Sequence, residues 1–315
     1  MSICTAPFPY FGGKRRAAAL IWERLGNVRN YVEPFCGSCA VLLARPTPPH
    51  IETVNDADGL LANFWRAMTL DPAGVERHAD WPVNEADLVA RQNWLVRERE
   101  SLTARLMADP EWCDVKAAGW WVWGISSWIG RGFGEREIGL KLPHVNGTAV
   151  GAGIHQGAKL PSVNGEKIGC GIHQGGNIAP LASIAARLRK VRVACGSWDR
   201  VMGPSVLAHD CVSSVGVVLD PPYDDGAKVY THNNRVSADV RAWCVAHGHI
   251  PTLRIALCGY EGEHNELEAL GWDKVAWKAK GGYGSQGAGA GRANAIRERV
   301  WFSPHCLRAA QGSMF

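Results

Sequence analysis

The residues with the clearest chemical use are the tetrad Asp220-Pro221-Pro222-Tyr223, which follows the apolar run 215–219. An amine attached to an aromatic ring is a poor nucleophile, because its lone pair is delocalised into the ring. The Asp220 carboxylate and the Pro221 carbonyl could each accept one amine hydrogen, while Tyr223 stacks on the ring. The prolines fix φ and make the turn rigid. The tetrad therefore indicates methyl transfer to such an amine; an ordinary Asp-Pro-Pro turn is the alternative.

Two segments upstream have the residue types that a nucleotide-like methyl donor needs. Residues 30–39 predict a strand, a tight loop and a helix that begins near Ala40, and Gly37 permits a close backbone approach to a cofactor. Residues 51–56 predict a short strand that ends in Asp56, where an acid commonly binds ribose hydroxyls in open α/β sheets. A glycine loop alone is weak support. Three such pieces in sheet order favour a donor site.

In combination, these motifs resemble the Dam-like DNA adenine amino-methyltransferases with the alpha order of motifs. Residues 7–14 resemble that family's N-terminal cofactor motif, and residues 33–37 resemble its donor loop. Asn55-Asp56 resembles its ribose-binding acid, and 220–223 its catalytic tetrad. The resemblance covers nearly the whole chain apart from the middle third, and the combination is more specific than any single motif.

The resemblance implies in-line methyl transfer from S-adenosylmethionine to the N6 amine of an adenine that is flipped out of duplex DNA, with no metal required. Catalysis is implied for Asp220, Pro221, Pro222 and Tyr223. Donor binding is implied for Tyr10, Lys14, Glu33, Phe35, Gly37 and Asp56. Two alternatives stay open. The same tetrad could hold the N4 amine of cytosine, or the chain is a DNA-binding relative that has lost catalysis.

Two positions depart from the family pattern. Cys39 stands where the donor loop usually has a second glycine, and its side chain could narrow the donor site. Ser197 stands where the segment that holds the donor's adenine usually has an acid, beside the matching aromatic Trp198. Either Asp199 or Ser197 itself could hydrogen-bond the adenine amine. These two departures would be the signs of a relative without catalysis.

An internal repeat falls where alpha-ordered enzymes insert a target-recognition domain. Residues 141–158 and 159–176 match at twelve of eighteen positions without a gap. Each copy contains Asn-Gly, a strong hairpin signal, and ends in Gly-Ile-His-Gln-Gly. Glutamine can bind adenine in the major groove, and histidine can meet phosphate or guanine. The predicted DNA-contacting residues are therefore His155, Gln156, His173, Gln174 and, outside the repeat, Arg131. A duplicated surface loop without a partner is the alternative.

The expected fold is α/β, a Rossmann-like and mainly parallel methyltransferase sheet with a smaller inserted recognition domain. We assign the core to residues 1–70 and 181–315 and the insertion to 71–180. Within the insertion, a helix should start at Asn84, with Leu88, Leu95 and Leu102 facing the core. Five of the fourteen tryptophans lie between residues 112 and 128, where packing is favoured over a base-wedging role. Residues 297–302 predict a last edge strand.

Composition limits the function classes. No apolar run is long enough to span a bilayer, the N-terminus lacks a secretory segment, and ten scattered cysteines indicate a reducing compartment. We expect a cytoplasmic protein, bacterial or phage-encoded, that is a monomer or weak dimer. The net charge of +4 is too small to prove a polyanionic partner. Cys36 and Cys39 could form a metal or redox pair, but no second closely spaced pair completes a zinc site, so no metal is expected.

Overall fold

The computed structural model describes residues 6–8, 10, 14–128, 133–135, 137, 162–163, 166–167, 179–207, 214–223, 233–277 and 297–308. The chain forms two compact units. Unit 1 comprises Met1–Ala6, Gly12–Ala57 and Lys190–Phe315, and unit 2 comprises Pro7–Phe11 and Asp58–Arg189. The predicted insertion, 71–180, lies inside unit 2. Its role in target recognition stays a prediction.

Strands and helices alternate along the chain. The strands are β1 (Asn30–Glu33), β2 (Ile51–Asp56), β3 (Ser162–Val163), β4 (Glu166–Lys167), β5 (Arg192–Cys195), β6 (Val215–Leu219), β7 (Leu253–Tyr260), β8 (Asp273–Ala276) and β9 (Glu298–Phe302). The α-helices are α1 (Ala18–Leu25), α2 (Ala40–Leu43), α3 (Gly59–Leu70), α4 (Pro72–Ala79), α5 (Glu85–Ala108), α6 (Val115–Ser127), α7 (Ala179–Leu188), α8 (Pro204–Leu207) and α9 (Asn233–His247). Short 3-10 helices cover Trp198–Val201 and Asn265–Leu270.

Unit 1 contains a seven-stranded sheet in the order β5-β2-β1-β6-β7-β9-β8. The first five strands of this order pair in parallel, and β9 pairs antiparallel with both β7 and β8. This mostly parallel α/β sheet confirms the Rossmann-like methyltransferase fold that the sequence predicts. Since β1 has β2 on one side and β6 on the other, the strand order reverses around β1. Ligands of open α/β sheets bind at such a switch point.

The central strands form because their apolar runs are buried on both faces. Every residue of β6 is buried, as are nearly all residues of β7. Strand β9 has the same character, with Val300, Trp301 and Phe302 fully buried. The strand predicted at 297–302 is confirmed as β9, but its predicted place at the edge of the sheet is wrong, because β9 pairs with both β7 and β8. The edge strand next to β9 is the short, partly exposed β8. Its sequence mixes charged and apolar residues, so the sequence does not predict it as a strand.

Unit 2 is helical in most of its described part. The helix predicted at Asn84 is confirmed as α5, whose first turn is capped when the Asn84 side chain accepts the Ala86 N–H at 2.8 Å. Its predicted leucine stripe, Leu88, Leu95 and Leu102, is buried. In α6, Trp121 and Trp123 are also fully buried, which confirms the core role for these two tryptophans.

Two short strands in unit 2 flank the Asn-Gly pair of the second repeat copy. Strands β3 and β4 pair antiparallel, with Ser162 opposite Lys167 and Val163 opposite Glu166. The Asn-Gly pair between them and the first repeat copy lie outside the described residues. Among the helices of the described ranges, none combines the length and apolar character that crossing a membrane requires.

Candidate active site

Three carboxylates come together at one edge of the sheet in unit 1. Glu33 ends β1, Asp56 ends β2, and Asp220 follows β6 directly. The carboxyl ends of neighbouring parallel strands meet at the same edge. The pKa of Glu33 is raised to about 8, mainly by burial and also by the charges of Asp220 and Asp56, while a hydrogen bond from the Tyr31 hydroxyl opposes the rise. The carboxylates of Asp56 and Asp220 at this end of the sheet favour a cationic ligand.

The dipeptide Asn55-Asp56 holds the two loops that the sequence predicts for the donor. The Asn55 Nδ2 donates to the carbonyls of Pro34 and Gly196, each at 3.0 Å. The Asp56 Oδ2 accepts the Gly37 N–H at 3.0 Å, and the Asp56 carbonyl accepts the Gly196 N–H at 3.0 Å. Both loops are thus tied to the end of β2. One carboxylate oxygen of Asp56 already serves the loop, and the predicted contact with ribose stays a prediction.

The loop between β1 and α2 contains two residues in the left-handed backbone region. Gly37 has φ 45° and Cys39 has φ 52°. Glycine accepts this conformation without strain, whereas the Cβ of Cys39 does not. Cys39 directly precedes α2, and its N–H donates to the Cys36 carbonyl at 2.7 Å. The backbone therefore shows why a second glycine suits this position. That the Cys39 side chain narrows the donor site stays a prediction.

An aromatic pair joins the two predicted donor segments. The rings of Phe35 and Trp198 stack with centroids 6.1 Å apart and planes 24° apart. Trp198 begins the 3-10 helix after β5, and its neighbours Ser197 and Asp199 are exposed. A flat adenine ring suits such an aromatic surface. The structure does not decide between the two predicted hydrogen-bond partners of the donor's adenine amine, Ser197 and Asp199.

The tetrad forms a charged cluster with Lys14. The Lys14 Nζ lies 2.9 Å from the Asp220 Oδ1 and 5.0 Å from the centroid of the Tyr223 ring. Burial opposes the charge on Lys14, but Asp220 and Glu298 raise the pKa of Lys14 above its ordinary value. Lys14 therefore stays protonated at neutral pH. The sequence predicts Lys14 in the donor site, and the structure places its ammonium on the carboxylate of Asp220, for which catalysis is predicted.

Tyr223 is held from two sides. Its hydroxyl donates to the Glu298 Oε2 at 3.3 Å, and its ring packs edge-on against Tyr260 with centroids 4.6 Å apart. Burial, followed by the charge of Asp220, raises the pKa of Tyr223 well above its ordinary value, so its hydroxyl stays neutral. Within the tetrad, Pro221 is buried and Pro222 is exposed. The turn thus fixes the ring and the carboxylate relative to each other.

The Cys36 and Cys39 thiols are buried and unbridged. A hydrogen bond with Cys39, followed by burial, raises the pKa of Cys36 well above its ordinary value, so this thiol is a poor nucleophile. In the described part of the chain, no group of three or more His, Cys, Asp or Glu side chains could hold a metal ion. The reaction without a metal stays a prediction.

Six predicted site residues remain, of which one belongs to unit 2 and five fall outside the described residues. Tyr10 belongs to unit 2, where its ring packs edge-on against Phe8 with centroids 6.0 Å apart. All of the predicted DNA-contacting residues, His155, Gln156, His173, Gln174 and Arg131, fall outside the described residues. Their roles stay predictions.

Glu298 and Tyr260 lie in this cluster although the sequence does not predict them there. They stand opposite each other, Tyr260 at the end of β7 and Glu298 at the start of the antiparallel β9. Because β9 runs in the opposite direction to β7, the amino end of β9 lies beside the carboxyl end of β7. The signal that could have identified Glu298 is an acid at the start of an otherwise apolar strand.

The comparisons with known proteins agree with this geometry. Residues 10–90 match the family of D12 class N6 adenine-specific DNA methyltransferases. The matched range includes the donor loop and Asp56 but not the tetrad. No curated protein matches the chain. The family match confirms the predicted resemblance and supports an adenine-specific DNA methyltransferase.

Proposed function

We propose that the chain, whose residues 10–90 match the D12 class of N6 adenine-specific DNA methyltransferases, transfers a methyl group from S-adenosylmethionine to the N6 amine of an adenine flipped out of duplex DNA. The observation that carries this proposal is the convergence of Glu33, Asp56 and Asp220 at the switch point of the sheet. In this proposal, the acids Glu33 and Asp56 bind the cationic donor, and the carboxylate of Asp220 binds the target amine.

The residues around this edge fit the proposed donor. When bound, S-adenosylmethionine supplies an activated methyl group on a sulfonium. The negative charges that raise the pKa of Glu33 suit the positive charges of that molecule. The ribose hydroxyls suit Asp56, and the adenine ring suits the stacked pair of Phe35 and Trp198. Gly37 allows the backbone to come close, because it has no side chain at a left-handed position.

The tetrad suits the target amine. Asp220 accepts one amine hydrogen and the Pro221 carbonyl the other, which draws the nitrogen lone pair out of conjugation with the ring. Tyr223 offers a ring for stacking. As the nitrogen gains the methyl group, it must lose one proton, and Asp220 is the carboxylate placed to take it. The remaining acceleration comes from proximity, because the donor's methyl group is already activated.

We assign target recognition to unit 2, and in particular to the repeat at 141–176. The turn signal in the second copy is matched by the hairpin of β3 and β4, and a hairpin can enter the major groove. The partner is double-stranded DNA, and the setting that we propose is the cytoplasm of a bacterium or of a phage-infected cell. The proposal includes a monomer or weak dimer.

Replacement of the catalytic carboxylate tests the reaction. Asp220→Ala should lower turnover by orders of magnitude, because the target amine loses its acceptor, while donor binding survives on β1, β2 and β5. The measurement is mass spectrometry of nucleosides from unmethylated duplex DNA after incubation with the protein and S-adenosylmethionine.

The control is Asp239→Ala, which removes an exposed carboxylate on α9 and should leave turnover unchanged. Near-normal formation of N6-methyladenine by Asp220→Ala would contradict the mechanism. Formation of N4-methylcytosine by the wild type would keep the mechanism but change the substrate. No methylated base from a protein that binds DNA would favour the relative without catalysis.

A further inference from the structure

The ammonium of Lys14 lies between two carboxylates. It is 2.9 Å from the Asp220 Oδ1 and 3.7 Å from the Glu298 Oε2, and its side chain is 3% exposed. The Lys14 cation also lies near the rings of Tyr223 and Trp277, at 5.0 and 5.9 Å from their centroids. A buried cation with two anionic partners has two positions in which its charge is compensated.

The shorter of the two contacts conflicts with the proposed reaction. In that reaction, Asp220 must accept a hydrogen bond from the target amine, yet one of its oxygens is engaged by Lys14 in this structure. A charged ammonium bonds a carboxylate more strongly than a neutral aromatic amine does. The raised pKa of Lys14 keeps it charged at neutral pH. The target amine therefore competes with Lys14 for the Oδ1 of Asp220, the oxygen that Lys14 engages.

Glu298 resolves this competition. Its Oε2 lies within 4 Å of the ammonium, so a small movement of the Lys14 side chain away from Asp220 keeps the buried ammonium paired with a carboxylate. The same oxygen accepts the Tyr223 hydroxyl at 3.3 Å. Glu298 therefore contacts both the cation that blocks Asp220 and the ring on which the target base would stack.

We propose that Glu298 is a positioning residue of the methyl-transfer site, which takes over the Lys14 ammonium when the target amine binds Asp220. The inference rests on the proposed function, because it requires an amine to reach Asp220. In the free enzyme, the Lys14 ammonium occupies the position on Asp220 that the target amine takes. Glu298 sets how readily this ammonium leaves Asp220.

The decisive variant is Glu298→Gln, which keeps an oxygen for the Tyr223 hydroxyl and removes the charge that attracts Lys14. Lys14 should then stay on Asp220, so kcat should fall by at least about tenfold while the affinity for S-adenosylmethionine stays within about twofold. Glu298→Asp keeps the charge and should retain more activity than Glu298→Gln. The control is Glu266→Gln, which removes an exposed acid paired with Arg241.

A double-mutant cycle separates this role from a structural one. Without the ammonium of Lys14, there is nothing for Glu298 to take over. In a Lys14→Met background, Glu298→Gln should therefore cost less than about twofold in kcat, against about tenfold or more in the wild-type background. All four proteins are assayed at saturating S-adenosylmethionine with unmethylated duplex DNA, after their folding is verified by urea unfolding.

The two proposals fail in different ways. If the wild type forms no N6-methyladenine, the proposed function is lost. If the wild type methylates adenine but Glu298→Gln has an unchanged kcat, or loses the same factor with and without Lys14, the positioning role is overturned. If Lys14→Met does not fold, the kcat values of the wild type, Glu298→Asp and Glu298→Gln test the positioning role instead. Equal losses of kcat in Glu298→Asp and Glu298→Gln would contradict a role that depends on the charge of Glu298.

Discussion

Glu33 shows how the environment of one residue converts an ordinary acid into a group that titrates near neutral pH. Its carboxyl is buried among the carboxylates of Asp220 and Asp56, and its pKa is raised to about 8 from an ordinary 4.5. The folded protein therefore keeps a proton on Glu33 that the unfolded chain loses at lower pH. Because the folded pKa is the higher one, the stability gained from this proton is fully present below the ordinary pKa. It is lost as the pH rises to the folded pKa.

The upward shift of the Glu33 pKa predicts how stability depends on pH. Between about pH 5 and pH 8, the free energy of unfolding of the wild type should fall relative to that of Glu33→Gln, by up to about 1.4 kcal/mol per pH unit. Glu33→Gln has no proton to lose at this position, so its curve should be flatter. Urea unfolding at several pH values gives the comparison. Parallel curves for the two proteins would show that Glu33 ionises normally in the fold.

At this scale, the sequence predicts residue types better than their pairings. Asp220 and Tyr223 are identified by a motif that is local in the chain. The ion pair between Lys14 and Asp220 is not, because it depends on a side chain that arrives from another part of the fold. Glu298 escapes prediction for the same reason, since nothing beside it in sequence marks it as a neighbour of Tyr223.

At the scale of elements, the end of β2 organises both donor loops. Asn55→Ala would free the carbonyls of Pro34 and Gly196, which are otherwise fixed by one amide. We expect the affinity for S-adenosylmethionine to fall by about 1–3 kcal/mol, although Asn55 acts through the loops. Calorimetry measures the affinity.

A control for Asn55→Ala lies on the same strand. The Thr53 hydroxyl is buried and has no hydrogen-bond partner among the described residues. Thr53→Val should therefore leave donor affinity unchanged while keeping the shape of the side chain. If Asn55→Ala binds the donor as tightly as Thr53→Val does, the loops do not depend on Asn55.

The start of α2 gives a further prediction. Cys39 has a left-handed backbone, which costs a residue with a Cβ about 1 kcal/mol relative to glycine. Cys39→Gly should therefore be more stable than Cys39→Ala by about 1 kcal/mol, since both lose the thiol and glycine alone removes the strain. Thermal or urea unfolding of the two variants makes the comparison. Equal stability would mean that the loop relaxes around the alanine.

At the scale of the whole molecule, the sheet could be predicted because its strands are short apolar runs that end in acids or turns. The position of β9 could not, because strand order inside a sheet depends on pairing between distant segments rather than on local composition. Unit 2 shows the same contrast. The leucines of α5 and the tryptophans of α6 follow from helical periodicity, whereas the bounds of the unit at Asp58 and Arg189 depend on packing.

The repeat supports the last prediction. If the two copies read the target, replacing their histidine and glutamine pairs, His155-Gln156 and His173-Gln174, by alanine should relax or abolish site preference while donor affinity stays unchanged. Sequencing of methylated DNA from a host that expresses the variant gives the site preference. If the variant modifies the same site as the wild type at a near wild-type rate, the repeat has no role in target recognition.

The distance in sequence between Lys14 and Glu298 has a consequence for the newly made protein. The cluster around Asp220 takes its cation from the segment before α1 and one acid from β9, the last described strand. During synthesis, the ribosome releases the donor loops long before β9. A growing chain can therefore expose both predicted donor loops without yet having Glu298 beside Lys14. If Glu298 has the proposed positioning role, full turnover waits until β9 inserts between β7 and β8. The proposed role of Glu298 would in this way delay efficient methylation of DNA until the sheet is complete.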